Sequence, residues 1–84
     1  MQAQNKSITV CYFAKLREER GLSQEALLTA SSSPRELFAE LNTQHHFTLA
    51  PTALKVAVND EFSSWDRDLR SGDSVIFIPP VAGG

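Results

Sequence analysis

One segment of this 84-residue chain combines a helix start signal with an apolar stripe at helical spacing. Ser33 can cap the helix, Pro34 suits its first position, and Glu36 completes a capping box with Ser33. Three apolar residues then fall on one helical face: Leu37, Phe38 and Leu41. The pattern predicts a main helix that runs to about Gln44, so the rest of the chain has to supply the layer on which this helix packs.

The other predicted elements are short, and most of them are strands. Good helix formers at 14–20, followed by Gly21, predict a helix of about two turns. Strands are predicted at 7–13, 24–29, 54–58, 61–63 and 74–78, and a loop at 45–51. The last strand has no charged residue, which is typical of the middle of a sheet. The order β, α, β, α, β, β, β predicts an α+β fold, with a small mixed sheet of about five strands packed on one main helix.

Composition limits what the chain can do. A chain of 84 residues allows one domain, which buries only roughly 60–65% of its unfolded surface, so a deep active site is hard to build. The net charge of −2 gives no reason to expect a nucleic-acid partner. A single cysteine excludes an internal disulfide and fits a reducing compartment. Because the start of the chain is polar and no segment is long and apolar, we expect a cytoplasmic protein with no membrane partner.

The C-terminal tail carries the clearest sign of chemistry. No residue from Val75 to Gly84 is charged, and the last strand runs directly into Pro79-Pro80, which hold the chain extended. Gly83 and Gly84 have no side chains, so a narrow channel can admit them and the terminal carbonyl stays open to attack. A carboxylate needs activation before it reacts, and the sequence has no glycine-rich nucleotide motif. A separate ATP-using enzyme would have to activate Gly84.

The tail also has a plainer interpretation, since a glycine pair at a terminus is commonly just a frayed end. Its combination with a proline pair and an uncharged last strand favours a reactive arm. We therefore predict three parts: a disordered extension at 1–6, a domain at 7–78 and an extended tail at 79–84.

The sequence resembles the small subunits of molybdopterin synthase. The resemblance rests first on the tail, Phe77-Ile78-Pro79-Pro80-Val81-Ala82-Gly83-Gly84. It extends to Tyr12-Phe13-Ala14-Lys15-Leu16-Arg17-Glu18, to Val56-Ala57-Val58-Asn59 and to Leu69-Arg70-Ser71-Gly72-Asp73, and covers nearly the whole chain after Lys6. It implies a ubiquitin-like β-grasp fold with a flexible Gly-Gly end.

The resemblance also implies a mechanism. An ATP-dependent adenylating (E1-like) enzyme would adenylate Gly84, and a sulfur donor protein would convert the adenylate to a thiocarboxylate. The tail would then enter a large catalytic subunit, where the sulfur passes to cyclic pyranopterin monophosphate to form the molybdopterin dithiolene. Two small and two large subunits would form a heterotetramer. The chain would be the sulfur-donating subunit of a sulfurtransferase, with no permanently bound cofactor and no complete active site of its own.

The same resemblance assigns roles along the tail. Gly84 would carry the sulfur, and Gly83 would give access to it. Four residues would line the partner's channel: Pro79, Pro80, Val81 and Ala82.

The last strand also predicts a docking face. If Val75 and Phe77 meet the helix, Ile76 and Ile78 lie on the open face, where Phe62 could join them. The opposite assignment is possible from the sequence. An exposed apolar patch on so small a protein usually marks a partner site.

Other candidates are assigned structural roles. Cys11 lies within a predicted strand, and free cysteines are often simply buried. His45 and His46 have no neighbouring carboxylate or cysteine cluster, so no metal site is predicted. Trp65 is interpreted as an anchor for its loop.

Three rival functions remain open from the sequence. They are a sulfur carrier for another pathway, such as thiazole synthesis, a ubiquitin-like protein modifier, and an interaction module with an inert tail.

Overall fold

The computed structural model describes residues 5–80, and its elements follow the predicted order. They are β1 (Lys6–Tyr12), α1 (Ala14–Arg20), β2 (Gln24–Thr29), α2 (Pro34–His45), a 3₁₀ turn (Pro51–Ala53), β3 (Lys55–Val58), β4 (Glu61–Ser63) and β5 (Ser74–Ile78). Within the described range the strands form one mixed sheet in the order β2-β1-β5-β3-β4. The β1–β5 pair is parallel and the other pairs are antiparallel. This confirms the predicted α+β, ubiquitin-like β-grasp fold.

β5 occupies the middle of the sheet, as its lack of charge predicts. Val75 pairs with Val10 of β1 on one side and with Val58 of β3 on the other. A strand with neighbours on both sides has both rows of its backbone groups bonded. The segment that leads into the tail is therefore held on both sides.

The core lies between α2 and one face of the sheet, and its centre is Phe38. The ring of Phe38 meets the ring of Phe77 edge-on at 5.1 Å between centroids and stacks on Phe47 at 5.7 Å. Trp65 stacks on Phe77 at 5.8 Å, which confirms its predicted role as a loop anchor. The predicted helical stripe is buried with the core faces of the strands: Leu37, Phe38, Leu41, Ile8, Val10, Tyr12, Val56, Val58, Val75 and Phe77.

The start of α2 confirms the predicted cap with one difference. The Ser33 hydroxyl oxygen accepts a hydrogen bond from the Glu36 N–H at 3.2 Å. The Glu36 carboxylate, however, accepts from the N–H and hydroxyl of Ser32, at 2.9 and 3.0 Å, instead of from the Ser33 N–H. Ser32 offers two donors to one oxygen, and these bonds hold the pKa of Glu36 below its usual value.

The predicted loop at 45–51 is wrong at both ends. α2 continues through His45, and it stops there because His46 takes the left-handed conformation (φ 57°) and donates its N–H to the Asn42 carbonyl. At the other end, Pro51 begins the 3₁₀ turn. β3 begins at Lys55 and not at residue 54, because the N–H of Leu54 is used to close that turn.

The first strand is shifted by one residue from the prediction. β1 begins at Lys6, which pairs with Thr29 of β2, so Lys6 belongs to the sheet and not to the predicted extension at 1–6. Residues 1–4 of that extension lie outside the described range. At its other end the strand stops at Tyr12, since Phe13 caps α1 in an extended conformation.

A polar network ties α1 to the sheet. The Tyr12 hydroxyl donates to the Glu25 carboxylate at 2.6 Å, and the Arg20 guanidinium donates to the same carboxylate at 2.8 and 2.9 Å. Burial and the bond to Glu25 raise the pKa of Tyr12 above its ordinary value. The bonds from Arg20 hold the pKa of Glu25 below its ordinary value. As predicted, Gly21 ends α1 in the left-handed conformation (φ 81°).

Candidate functional site

The open face of the sheet, the face opposite α2, carries alternate residues of β5. Val75 and Phe77 are fully buried against the core, whereas Ile76 and Ile78 are half-buried on the other side. The predicted parity is therefore confirmed. Its cause is the strand period of two, together with the packing of Phe77 against Phe38 under α2.

An apolar row crosses the open face in register. Ile76 pairs with Cys11 of β1 on one side and with Ala57 of β3 on the other, and Ala57 pairs with Phe62 of β4. Phe62 is 75% exposed, the largest exposed fraction among the large hydrophobic side chains of the described residues. An aromatic ring held open at the end of such a row is typical of a partner contact.

A groove of about 290 Å³ lies where β5 passes into the tail. We call it the tail-root groove, and its lining residues are Ala53, Lys55, Phe62, Ile78, Pro79 and Pro80. The structure thus brings together four of the predicted partner-binding residues, while Ile76 lies in the row beside them. Val81, Ala82, Gly83 and Gly84 lie outside the described residues, so their predicted roles stay predictions.

The sequence predictions missed two residues of the tail-root groove, Ala53 and Lys55. A signal for Lys55 exists, because it directly precedes Val56 in β3 and so must lie on the opposite face from that core residue. Ala53 has no such signal, since it lies in the unpredicted 3₁₀ turn.

A polar cluster fixes the end of β5 that is farthest from the groove. Asn59 and Asp60 both have positive φ, 53° and 71°, and form the turn between β3 and β4. The Asn59 side chain accepts from the Ser74 N–H at 2.9 Å and donates to the Asp73 carboxylate at 2.9 Å. Partial burial tends to raise the pKa of Asp73, but bonds from the Arg70 N–H and the Asn59 amide hold that pKa below its usual value. The register of β5 is thus fixed before the strand reaches the tail.

The remaining candidates are spread over the fold. Cys11 is half-buried on the open face, 4.0 Å from the Gln24 side-chain oxygen. The His45 ring lies 5.8 Å from the Phe47 ring, and its pKa is lowered by burial and by the nearby Arg20 charge. Between residues 5 and 80, no group of three or more histidine, cysteine, aspartate or glutamate residues could hold a metal ion. Neither of the helices in that range is long and apolar enough to cross a membrane.

Comparison with known proteins gives a consistent set of relatives. Residues 10–84 match the ThiS family. The molybdopterin synthase sulfur carrier subunit of Escherichia coli is 35% identical over 82 residues, a match that spans 92% of this chain and 99% of that protein.

Solved structures that share the fold include the following two. The putative molybdopterin converting factor subunit 1 of Pyrococcus furiosus matches with a TM-score of 0.75 and 29% identity, over 90% of this chain and 99% of that one. One chain of the protein-protein complex of subunits 1 and 2 of molybdopterin-converting factor from Helicobacter pylori has a TM-score of 0.63 and 24% identity, over 93% of this chain and 99% of that one.

Proposed function

The chain belongs to the ThiS family, and we propose that it is the sulfur-carrier subunit of a molybdopterin synthase. The observation that carries this proposal is the course of β5. This strand lies in the middle of the sheet, is bonded on both sides, and passes without a break into Pro79 at the rim of an apolar groove. The tail therefore starts from a fixed point beside a surface on which a partner can dock. This arrangement is suitable for a C-terminal group that reacts in another protein's active site.

In the proposed mechanism the reacting group is the Gly84 carboxylate. A separate adenylating enzyme joins it to AMP from ATP with loss of pyrophosphate. A donor protein supplies sulfur at the oxidation level of sulfide, which displaces the AMP and leaves a thiocarboxylate. In the large subunit that sulfur passes, still at the sulfide level, to cyclic pyranopterin monophosphate, and water supplies the oxygen that restores the Gly84 carboxylate. The cytoplasm, where ATP is available, is the proposed location.

The chain supplies the arm and the docking surface for this sequence of steps, and its partners supply the chemistry. Two extended prolines limit the conformations of the arm, which lowers the entropy lost when a channel takes it up. The open face gives the large subunit an apolar patch around Phe62 and Ile76. The E. coli relative is described as a subunit, and the H. pylori neighbour is itself in a complex with a second subunit. We extend this to a large-subunit partner here, in a heterotetramer of two small and two large subunits.

Deletion of Gly84 tests the proposal in a reconstituted synthase assay. The shortened tail ends in Gly83 and is about 3.3–3.6 Å shorter, so its terminal group falls short of the partner's reacting centre. We expect sulfur transfer to fall by at least about a hundredfold, because a misplacement of about 1 Å can already cost that much. Folding should be unchanged by circular dichroism.

A chain without Gln2 is the matched control, because it is also one residue shorter, and it should transfer sulfur normally. Full sulfur-transfer activity of the chain without Gly84 would contradict the proposal. A carrier for another pathway, such as thiazole synthesis, would be sulfurated at Gly84 yet transfer nothing to cyclic pyranopterin monophosphate with the large subunit.

A further inference from the structure

Lys55 is the one charged residue among those that line the tail-root groove. It is exposed, it pairs across the strands with Ile78, and it forms no ion pair with any residue between 5 and 80. The other residues of the groove offer apolar surface: Ala53, Phe62, Ile78, Pro79 and Pro80.

A lysine in this position limits what can cover the groove. Its aliphatic stem can lie along apolar surface while the ammonium group stays in water. A partner that seals the groove removes that water, and an unpaired ammonium group without water is strongly unfavourable. A second positive charge opposite it would add repulsion. The covering surface therefore needs an acceptor for the ammonium group, and a carboxylate is the acceptor that also compensates the charge.

We propose that the large subunit covers the tail-root groove with an apolar surface that carries one carboxylate, an aspartate or glutamate, paired with Lys55. The inference rests on the proposed function and names a chemical feature of that partner. The pair helps to fix the orientation of the small subunit on the large one, because it ties one partner carboxylate to a point beside the start of the tail. Orientation matters here, since the tail has to enter the channel from its root at Pro79.

Charge reversal at Lys55 tests the pair. The dissociation constant of the small subunit from the large subunit is measured by calorimetry at low and high salt. We expect Lys55→Glu to weaken binding by at least about tenfold at low salt, and the loss to shrink as salt screens the repulsion. Lys55→Met should weaken it by about threefold, and Lys55→Arg by less than about twofold, because Arg keeps the charge.

Arg70→Glu is the matched control. Arg70 is exposed in the turn before β5, at the opposite end of that strand from Ile78, and its reversal changes the net charge by the same amount. We expect this variant to bind within about twofold of the wild type, so that a loss specific to Lys55 can be told from an effect of net charge.

Three results would overturn the inference: unchanged binding of Lys55→Glu, equal weakening by Lys55→Glu and Arg70→Glu, or tighter binding of Lys55→Met than of the wild type. Each leaves the proposed function intact if wild-type Gly84 still delivers sulfur in the same preparation. If the wild type neither binds the large subunit nor delivers sulfur, the proposed function fails and the inference fails with it.

Discussion

The side chain of Asn59 holds the start of the last strand, β5, in position. Its positive φ suits asparagine better than most residues, and its side-chain oxygen and amide reach Ser74 and Asp73 at once. The backbone N–H of Asn59 also donates to the Ser74 carbonyl at 2.8 Å. One residue thus joins the β3–β4 turn to the start of β5.

We expect Asn59→Ala to lower the free energy of unfolding by about 1–3 kcal/mol, since two hydrogen bonds are lost and alanine tolerates positive φ poorly. Asn59→Gly loses the same bonds but accepts that backbone conformation, so its loss should be smaller. Urea denaturation of the three proteins measures both effects. If the alanine variant were as stable as the wild type, the cluster would have no part in holding β5.

Which residues share a face follows from the sequence where a strand alternates, but the choice of the face that meets the core does not. Val75 and Phe77 share a face because the side-chain period of a strand is two, and the packing of Phe77 on Phe38 makes that face the buried one. Ala53 is not predictable in this way, because its position in the groove depends on a 3₁₀ turn that has no periodic pattern. The site is thus predictable along β5 and not along the segment that completes the groove.

At the scale of elements, α1 is held by the Tyr12–Arg20–Glu25 network. The Glu25 carboxylate is partly buried and accepts three hydrogen bonds, two of them from the Arg20 guanidinium. Its pKa is lower in the folded chain than its ordinary value of 4.5. The charged carboxylate therefore stabilises the fold above about pH 4.5, and this contribution is lost as the pH falls toward the lower, folded-state pKa.

We expect Glu25→Gln to lower the free energy of unfolding at pH 7 by about 2 kcal/mol, because the charge-assisted bonds to Arg20 are replaced by weaker ones. The gap between variant and wild type should narrow as the pH is lowered below 4.5. Denaturation at several pH values measures this. Glu18→Gln, on the exposed side of α1, is the matched control and should have little effect. A difference that stays constant from pH 7 to well below 4.5 would contradict the account.

The order of elements is predictable because each carries a local signal, such as the cap at Ser33 or the glycine that ends α1. Their ends are less predictable because they depend on distant partners. Lys6 joins β1 by pairing with Thr29, which is more than twenty residues away. The residues next to Lys6 in the sequence do not predict that pairing. α2 likewise ends at His45 because His46 takes the left-handed conformation. Glycine or asparagine at that position would have predicted such a helix end, and histidine does not.

At the scale of the whole molecule, one face of the sheet forms the core and the other face is open. One face packs on α2 and forms the core around Phe38, and the other presents the row from Cys11 to Phe62. The strand order β2-β1-β5-β3-β4 does not follow from the periodicity of any segment, because periodicity is local and strand pairing is not. This order places β5 in the middle, so the tail starts from a strand that is paired on both sides.

The account assigns the chemistry to Gly84 and the recognition to the domain behind it. Mass spectrometry of the C-terminal peptide, taken from native cells depleted of the large subunit, tests this most directly, because a loaded carrier cannot discharge its sulfur there. We predict a population in which one oxygen of the Gly84 carboxylate is replaced by sulfur, and the loss of that population when the adenylating enzyme is also removed. Tails found only as free carboxylates, or only joined to lysines of other proteins, would contradict the account.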